Sequence, residues 1–306
     1  MNLNNKIAIC VPTYKRTQML ENLLTSIFEN SVDKWLIEQI TIIIVDNDKN
    51  KSAESTANKF INRTNEIFSL SYFVYPVKGL SDVRNELMRR AFETKCEFFV
   101  FIDDDEFVTK NWLNELVKTI INNDGDAARG PVLAVKPEKV SKYLWCWFKR
   151  ENFPDNSELS TLTTGNIILR RSSLEKYKVW FDSRFNNSGS EDAYFGMQFL
   201  KKGGKIFWSE KAVTYEIIPK SRASLNWLLR RMYRTSGTYS YMLKLQKKYL
   251  LVTKKAVVSL LYLIFGCIAL IGLFTNIKKR YWGMLKIAEG AGGLMGVMGI
   301  RYKEYK

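Results

Sequence analysis

The chain has 306 residues, with 47 Lys and Arg against 31 Asp and Glu, which gives a formal net charge of +16. Hydrophobic residues make up 46% of the chain and charged residues 25%, and these proportions exclude a disordered or collagen-like protein. Histidine is absent, which excludes any site that uses imidazole as a base or metal ligand and leaves proton transfer to carboxylates, Tyr, Lys or Cys.

Strand and helix patterns alternate along the first 130 residues. Continuous apolar runs, typical of parallel strands covered on both faces, predict strands at residues 7–11, 40–45, 70–74 and 98–102. Apolar residues at helical spacing predict helices at residues 19–28, 52–61, 81–92 and 111–121, with Ser81 as the N-cap of the third helix. This alternation predicts an α/β fold with a doubly wound, mostly parallel sheet.

Three of the four predicted strands end in polar residues. Pro12-Thr13-Tyr14 follows the first strand, Asp46 follows the second, and an acidic run follows the fourth. Doubly wound sheets bind their ligands at the carboxyl ends of the strands. These residues therefore predict a ligand site at that edge of the sheet.

The acidic run is Asp103-Asp104-Asp105-Glu106. It is costly, because adjacent carboxylates raise one another's pKa unless a cation neutralises them. Asp103 and Asp105 point to the same side if the chain stays extended, and two carboxylates completed by phosphate oxygens suit Mg²⁺ or Mn²⁺. The alternative interpretation is a solvated acidic turn that caps the next helix. The sequence contains neither a P-loop nor a GxGxxG motif as a competing phosphate site.

Most of the positive charge lies in the second half of the chain, around two apolar segments. Residues 256–277 carry no charge and are long enough to span the roughly 30 Å hydrocarbon core of a bilayer as a helix. Residues 281–300 contain Lys286 and Glu289. They also contain glycines at a spacing that favours close helix packing. The pattern predicts a membrane-associating helical region over residues 241–306, with a buried core helix or an interfacial helix as alternatives.

Six short motifs occur in an order that resembles the family 2 glycosyltransferases, and the resemblance covers residues 6–240. Within that family, the sequences of the motifs most resemble those of bacterial exopolysaccharide glucosyltransferases of the succinoglycan type. The motifs are CVPTYKR at 10–16, VDND at 45–48, GLSDVRN at 79–85, FIDDDE at 101–106, TGNIILRR at 164–171 and GSED at 189–192.

The resemblance implies the GT-A fold, a UDP-sugar donor, Mg²⁺ or Mn²⁺ as cofactor, and inversion at the anomeric carbon. Residues 1–240 would be the catalytic domain, with a nucleotide-binding half at 1–130 and an acceptor-binding half at 131–240. Asp46 would accept the uracil N–H. Asp105 and Asp103 match the metal-binding DxD motif. The residues expected to bind the nucleotide sugar are Pro12, Thr13, Tyr14, Arg16, Asp46, Arg84, Asp103 and Asp104.

The catalytic residues implied by the resemblance are Asp192 and Glu191 of the family's ED motif, in which the Asp is the general base. Asp192 precedes a helical pattern, and a helix N-terminus favours the ionised form that a base needs. The arginines near residue 230 would meet the leaving diphosphate or, alternatively, anionic lipid. The weaker predictions for donor-sugar and acceptor contacts are Gly165, Asn166, Trp227, Arg230 and Arg231.

The expected reaction is the transfer of a single sugar, because residues 226–231 do not match the QxxRW motif of the family's processive synthases. The predicted acceptor is a hydroxyl of a glycan on undecaprenyl diphosphate. Nucleotide sugars are cytosolic, so the protein is expected on the cytoplasmic face of the bacterial inner membrane, anchored by its C-terminal region. The alternatives are a polyprenyl-phosphate sugar synthase, a nucleotidyltransferase and a non-enzymatic nucleic-acid-binding protein. A nucleic-acid partner is not expected, since the charge gathers around an apolar segment.

Overall fold

The structure is a computed structural model that describes residues 5–138, 140–148, 152–271, 277–302 and 304. The strands are β1 (Asn5–Thr13), β2 (Ile37–Asp46), β3 (Phe68–Val74), β4 (Phe98–Phe101), β5 (Glu106–Val108), β6 (Ala127–Arg129), β7 (Val132–Val135), β8 (Ile167–Arg170), β9 (Ile206–Trp208) and β10 (Thr214–Ile217). The helices are α1 (Thr17–Phe28), α2 (Glu54–Ile61), α3 (Leu80–Glu93), α4 (Trp112–Asn122), α5 (Lys142–Trp145), α6 (Arg171–Tyr177), α7 (Glu191–Lys201), α8 (Leu225–Leu245), α9 (Tyr249–Ile271) and α10 (Ile277–Val297).

Seven strands form a sheet in the order β3-β2-β1-β4-β8-β6-β9, and β5, β10 and β7 form a smaller one. The first four strands of the chain are parallel, whereas β8 runs antiparallel to both of its neighbours. The strand order reverses at β1, because β2 and β3 lie on one side of it and β4 lies on the other. Such a reversal is where doubly wound sheets bind ligands. The predicted α/β fold with a mostly parallel sheet is confirmed.

The side chains of β1 alternate between two hydrophobic cores. Ile7, Ile9 and Val11 pack into one core with residues of α1, α2 and α4. Ala8 and Cys10 pack into the other with residues of α3, α6 and α7. All five side chains are fully buried. A strand covered on both faces reads as an unbroken apolar run, which is why the apolar runs located the four parallel strands.

Helix α3 begins differently from the prediction. Its N-cap is Gly79, and Ser81 lies inside the first turn, where its hydroxyl donates to the carbonyl of Asp182 at 2.9 Å. Gly79 has a φ of 142°, and a Cβ there would lie 2.3 Å from the side chain of Asn186. The predicted capping role of Ser81 is therefore wrong, and a glycine starts this helix because of both its backbone conformation and its close neighbour.

The chain divides into two compact units. The first comprises Met1–Ala134, Arg150–Asn186 and Glu191–Glu216, and contains the seven-stranded sheet. The second comprises Val135–Lys149, Asn187–Ser190 and Ile217–Lys306, and contains α8, α9 and α10. The division predicted at residue 240 stays a prediction, and this position lies within α8.

In the second unit, α10 packs closely against both α8 and α9. Glycines make this approach possible. A Cβ at Gly292 would lie 1.9 Å from the carbonyl oxygen of Tyr233 in α8, and one at Gly290 would lie 2.5 Å from that of Ser259 in α9. The close helix packing predicted from the glycine spacing is confirmed. Further α10 glycines that meet backbone or side-chain atoms of α8 or α9 are Gly283, Gly293 and Gly296.

Helix α9 contains a segment, Tyr249–Leu270, that is long and apolar enough to cross a membrane, the one such segment among the residues described. The helix starts before the predicted apolar segment 256–277, of which residues 272–276 lie outside the described part of the chain. Much of its apolar surface is not covered by the rest of the protein. The exposed apolar side chains of α9 include Leu250, Val257, Leu260, Leu261, Ile264, Phe265 and Ile268.

Asn166, immediately before β8, joins three segments of the first unit. Its φ of 56° is in the left-handed region that Asn tolerates. Its side-chain oxygen accepts from the indole N–H of Trp112 at 2.6 Å, and its amide nitrogen donates to the carbonyls of Pro131 at 3.0 Å and Ala212 at 2.6 Å. Because the side chain is fully buried and both amide hydrogens are used, the predicted contact of Asn166 with a sugar is not supported. Asn166 has a structural role.

Replacing Asn166 tests this role. We expect Asn166→Ala to lower the free energy of unfolding by about 3 kcal/mol or more, because each buried polar group left without its partner costs about 1–3 kcal/mol. Urea unfolding followed by circular dichroism measures the change. Asn22→Ala, on the exposed part of α1, is the control and should change stability by less than about 0.5 kcal/mol. Equal effects of the two substitutions would contradict the structural role.

Candidate active site

The acidic run after β4 forms a turn. The backbone N–H of Glu106 donates to the carbonyl of Asp103 at 3.1 Å, and the chain bends at Asp104 and Asp105. The chain is therefore not extended here, which was the condition for Asp103 and Asp105 to point to the same side. The turn gives the successive carboxylates different partners on different elements.

Asp104 and Asp105 bind residues at the end of β1 and just after it. The Asp104 carboxylate accepts from the Thr13 hydroxyl at 2.9 Å and from the Arg16 guanidinium at 2.9 Å, and the same guanidinium nitrogen donates to Asp105 at 3.0 Å. Burial raises the pKa of Asp104, although the charge of Arg16 opposes this shift. Thr13, Arg16 and the acidic turn, which the sequence placed in one nucleotide site, thus lie together at the switch point. Tyr14 beside them is exposed.

The electrostatics of the turn favour the uptake of positive charge. Burial, together with the neighbouring charge of Asp103, raises the pKa of Asp105 to about 6. The same two causes raise the pKa of Glu106 well above its usual range. A bound cation would lower both pKa values, so this donor set fits a hard divalent ion.

The described residues contain no group of three or more His, Cys, Asp or Glu side chains arranged to hold a metal ion. Asp103 and Asp105 would therefore leave most coordination positions to phosphate and water oxygens, as is usual for Mg²⁺ at nucleotide sites.

Glu106 faces the segment before β8. Its carboxylate accepts from the Thr214 hydroxyl of β10 at 2.6 Å. A Cβ at Gly165 would lie 2.7 Å from the other Glu106 oxygen, so that a side chain at position 165 would clash with the carboxylate. The structure places Gly165 beside the acidic turn, and its predicted contact with a sugar stays a prediction.

Arg84 joins two carboxylates from distant parts of the chain. One guanidinium nitrogen donates to Asp103 at 2.9 Å and another donates to Glu191. Burial lowers the pKa of Arg84, but the charges of Asp103 and Glu191 more than offset this effect, so the guanidinium is charged. Burial raises the pKa of Glu191 to about 7 despite the charge of Arg84. The ED motif therefore reaches the acidic turn through an arginine.

Asp192 differs from its neighbour Glu191. Both lie in the first turn of α7, which confirms the predicted position at a helix N-terminus. Glu191 is 2% exposed, whereas the side chain of Asp192 is partly exposed and accepts from the backbone N–H of Ala193 at 2.7 Å. Of the two carboxylates, Asp192 is the one that an acceptor hydroxyl can approach.

Asp46 ends β2, in register with Thr13 of β1. It is fully buried. Its carboxylate accepts from the backbone N–H groups of Asp48 at 2.8 Å and Ala53 at 2.9 Å, and from the Tyr72 hydroxyl at 2.9 Å. Asp46 therefore orders the loop after β2, and its predicted bond to uracil stays a prediction. Pro12, which precedes Thr13 in β1, is buried as well.

The remaining predicted residues belong to α8 in the second unit. The Trp227 ring stacks on Phe148 with ring centroids 5.9 Å apart, and the Arg231 guanidinium lies 5.1 Å from the centroid of Trp227. Arg230 is exposed on the same helix. The stacking shows aromatic packing within this unit. Sugar or phosphate binding by Trp227, Arg230 and Arg231 stays a prediction.

Sequence patterns missed several residues that hold the site. Asn85 donates to the Phe181 carbonyl at 2.8 Å and accepts from the Phe181 N–H at 2.9 Å. Asn186 donates to Asp82 at 2.6 Å. These pairs lie 96 and 104 positions apart, so no local pattern reveals them. The available signal was the Asn that follows Arg84 in the GLSDVRN motif.

Comparison with known proteins gives consistent matches. The sequence profile of glycosyl transferase family 2 matches residues 8–178, and that of glycosyl transferase family group 2 matches residues 98–295. The succinoglycan biosynthesis protein ExoM of Rhizobium meliloti (strain 1021) is 28% identical over 243 residues, which cover 79% of this chain and 75% of that protein.

A second relative is the poly(ribitol-phosphate) beta-N-acetylglucosaminyltransferase TarS of Staphylococcus aureus, which is 22% identical over 215 residues. The match covers 69% of this chain and 35% of TarS, so the chain spans about a third of that protein's length. Crystal structures of S. aureus TarS 1-349 in complex with UDP-GlcNAc and with UDP both superpose with a TM-score of 0.55, at 17% and 16% identity. They cover 98% and 96% of this chain and 93% and 90% of theirs.

The structural likeness supports the GT-A fold that the resemblance implied, and the strand order of the sheet agrees with it. The profile match extends over more than half of the 306 residues and includes the VPTYKR, VDND, GLSDVRN, FIDDDE and TGNIILRR motifs. This chain therefore belongs to glycosyl transferase family 2.

Proposed function

We propose that this glycosyltransferase transfers one sugar from a UDP-sugar to a hydroxyl of a membrane-carrier-linked glycan, with inversion at the anomeric carbon. One observation carries the proposal. Residues from β1, the turn after β4, α3 and α7 meet at the switch point of the sheet through Thr13, Arg16, Arg84 and Glu191. Cationic and acidic groups alternate there, which suits a diphosphate and a divalent cation together.

The proposed donor is a uridine diphosphate sugar. Support comes from the TarS structures in complex with UDP and UDP-GlcNAc, which share this fold, and from the arrangement of Thr13 and Arg16 beside the acidic turn. One relative is named for succinoglycan biosynthesis and the other for transfer of N-acetylglucosamine to poly(ribitol-phosphate), so the proposal extends to UDP-sugars as a class.

The proposed cofactor is Mg²⁺ or Mn²⁺, held by Asp105 and Asp103. When bound, such an ion would place positive charge where the leaving diphosphate develops negative charge. In the same step the charged guanidinium of Arg16 orients the turn, since it binds both Asp104 and Asp105.

Asp192 is the proposed general base. Its carboxylate takes the proton from the acceptor hydroxyl, the hydroxyl oxygen forms a bond to the anomeric carbon, and the bond from that carbon to UDP breaks on the opposite face. The absence of histidine leaves a carboxylate as the natural choice for this transfer. Asp192 lies in the first turn of α7, and its partial exposure leaves the carboxylate open to an acceptor hydroxyl.

Release of UDP from a panel of UDP-sugars (UDP-Glc, UDP-Gal, UDP-GlcNAc and UDP-GalNAc) with Mn²⁺ or Mg²⁺ tests the donor and the cofactor. We expect turnover of at least one of these UDP-sugars and loss of turnover in EDTA. In Asp105→Ala we expect the rate of UDP release to fall by about 100-fold or more. The control is Asp33→Ala, a surface carboxylate that pairs with Lys118 at 3.1 Å. Full turnover in EDTA would contradict the metal-centred mechanism.

Asp192→Asn tests the base. The substitution keeps the size of the side chain and removes its basicity, so we expect transfer to fall by about 100-fold to 10,000-fold. The melting temperature should stay at the wild-type value, because the side chain is partly exposed. Activity that survives this substitution would favour a polyprenyl-phosphate sugar synthase, which transfers to a phosphate and needs no base at the acceptor.

We place the protein at the cytoplasmic face of the bacterial inner membrane, where UDP-sugars and glycans on undecaprenyl diphosphate meet. The support is helix α9, whose apolar side chains are exposed. Basic residues flank it, among them Lys247 and Lys248 before the helix and Lys278 and Lys279 after it. Lysines at these positions suit anionic headgroups at the ends of an apolar helix.

Charged substitutions on α9 test the membrane association. We expect the full chain to float with vesicles of phosphatidylethanolamine and phosphatidylglycerol, and Leu260→Glu with Phe265→Glu to abolish flotation, because a buried carboxylate opposes insertion. The control is Leu133→Glu, which replaces an exposed leucine of β7. Flotation of the doubly substituted protein at the wild-type level would contradict the assignment.

A further inference from the structure

The start of α3 is hydrogen-bonded to residues 181–186, the segment that precedes the ED motif. Three polar residues of its first turns make the contacts. Ser81 donates to the Asp182 carbonyl at 2.9 Å, Asp82 accepts from Asn186 at 2.6 Å, and Asn85 exchanges two hydrogen bonds with the backbone of Phe181. Ser81, Asp82 and Asn85 of the GLSDVRN motif therefore contact residues 181–186, although the resemblance assigns this motif to the donor.

Arg84 lies among these contacts and extends them to the acidic turn. It is 3% exposed, and its guanidinium packs 5.9 Å from the centroid of Phe181. One nitrogen donates to Glu191, the first residue of α7, and the other donates to Asp103 at 2.9 Å. The planar fork of an arginine fixes two carboxylates at a defined spacing. Through Arg84, the start of α7 is placed relative to the turn after β4.

The two carboxylates differ in their access to solvent. The side chain of Glu191 is 3% exposed and that of Asp103 is 38% exposed. Glu191 is thus too enclosed to meet an acceptor hydroxyl, and its buried charge needs Arg84 as a partner. Asp103 in the acidic turn is accessible, and Asp192, adjacent to Glu191, is partly exposed. The arrangement is a chain of contacts from the donor-binding turn to the carboxylate beside the base.

We infer that Arg84 is a positioning residue that sets the general base Asp192 relative to the donor-binding turn, acting through Glu191 on one side and Asp103 on the other. This inference rests on the proposed function. It replaces two expectations from the sequence, namely a direct contact of Arg84 with the donor and a catalytic role of Glu191. Neither residue needs to touch the reacting atoms.

The test separates nucleotide binding from turnover. Glu191→Gln keeps the size of the side chain and an oxygen for Arg84 but weakens the ion pair. We expect kcat for UDP release from the preferred UDP-sugar to fall about tenfold or more, since small displacements of a catalytic group have effects of this size. The affinity for UDP with Mn²⁺, measured by calorimetry, should stay at the wild-type value, and the melting temperature reports on folding.

Arg84→Lys provides the second variant, because lysine keeps the charge but lacks the fork. We expect a similar fall in kcat, and no further fall when Arg84→Lys is combined with Glu191→Gln, since the two residues act as one unit. The matched controls are Arg90→Lys and Glu86→Gln, an ion pair at 2.9 Å on the same helix, which should leave kcat unchanged.

Two results would overturn the inference. Wild-type kcat in Glu191→Gln would show that the contact with Arg84 does not set the base. A parallel loss of UDP affinity in folded Glu191→Gln would place the pair in nucleotide binding instead. A wild-type protein that neither binds UDP nor turns over any UDP-sugar would refute the proposed function itself, so the two failures are distinguishable.

Discussion

The candidate site depends on the pairing of buried carboxylates with two arginines. The turn after β4 places Asp104 and Asp105 where burial disfavours their charge, and the more exposed Asp103 lies beside them. Arg16 binds two of them and Arg84 binds the third. Buried charges are tolerated only when they are paired and hydrogen-bonded. The positions of the segments that carry these arginines therefore follow from the need to compensate one acidic turn.

The same pairing gives the two arginines different functions. Arg16 is partly exposed and follows β1, so it lies at the edge where a phosphate can share its charge. Arg84 is enclosed and already divided between two carboxylates. A guanidinium in that state has little capacity to bind a ligand, but it can hold two elements at a fixed distance. Burial thus separates an arginine that a ligand can reach from one that is enclosed, although both occur in motifs that the resemblance assigns to the donor.

Local patterns predicted the frame of the site. The parallel strands were recognisable because residues such as Ile7 and Ala8 are buried on opposite faces, and polar residues at strand ends followed from the sheet topology. The turn at the acidic run could not be predicted, because its geometry depends on Thr13 and Arg16 about 90 positions away. The structural contacts of Asn166 could not be predicted for a similar reason, since its partners come from three distant segments.

In the second unit, paired charges and exposed apolar surface lie on different helices. Lys286 and Glu289 of α10 form an ion pair at 2.8 Å, and the Lys286 ammonium lies 4.0 Å from the centroid of Tyr262 in α9. α10 itself is packed against α8 and α9 through its glycines. The charges of Lys286 and Glu289 are therefore compensated inside the helix layer. The exposed apolar side chains lie on α9. This makes α9 the element of this unit that is suited to contact lipid chains.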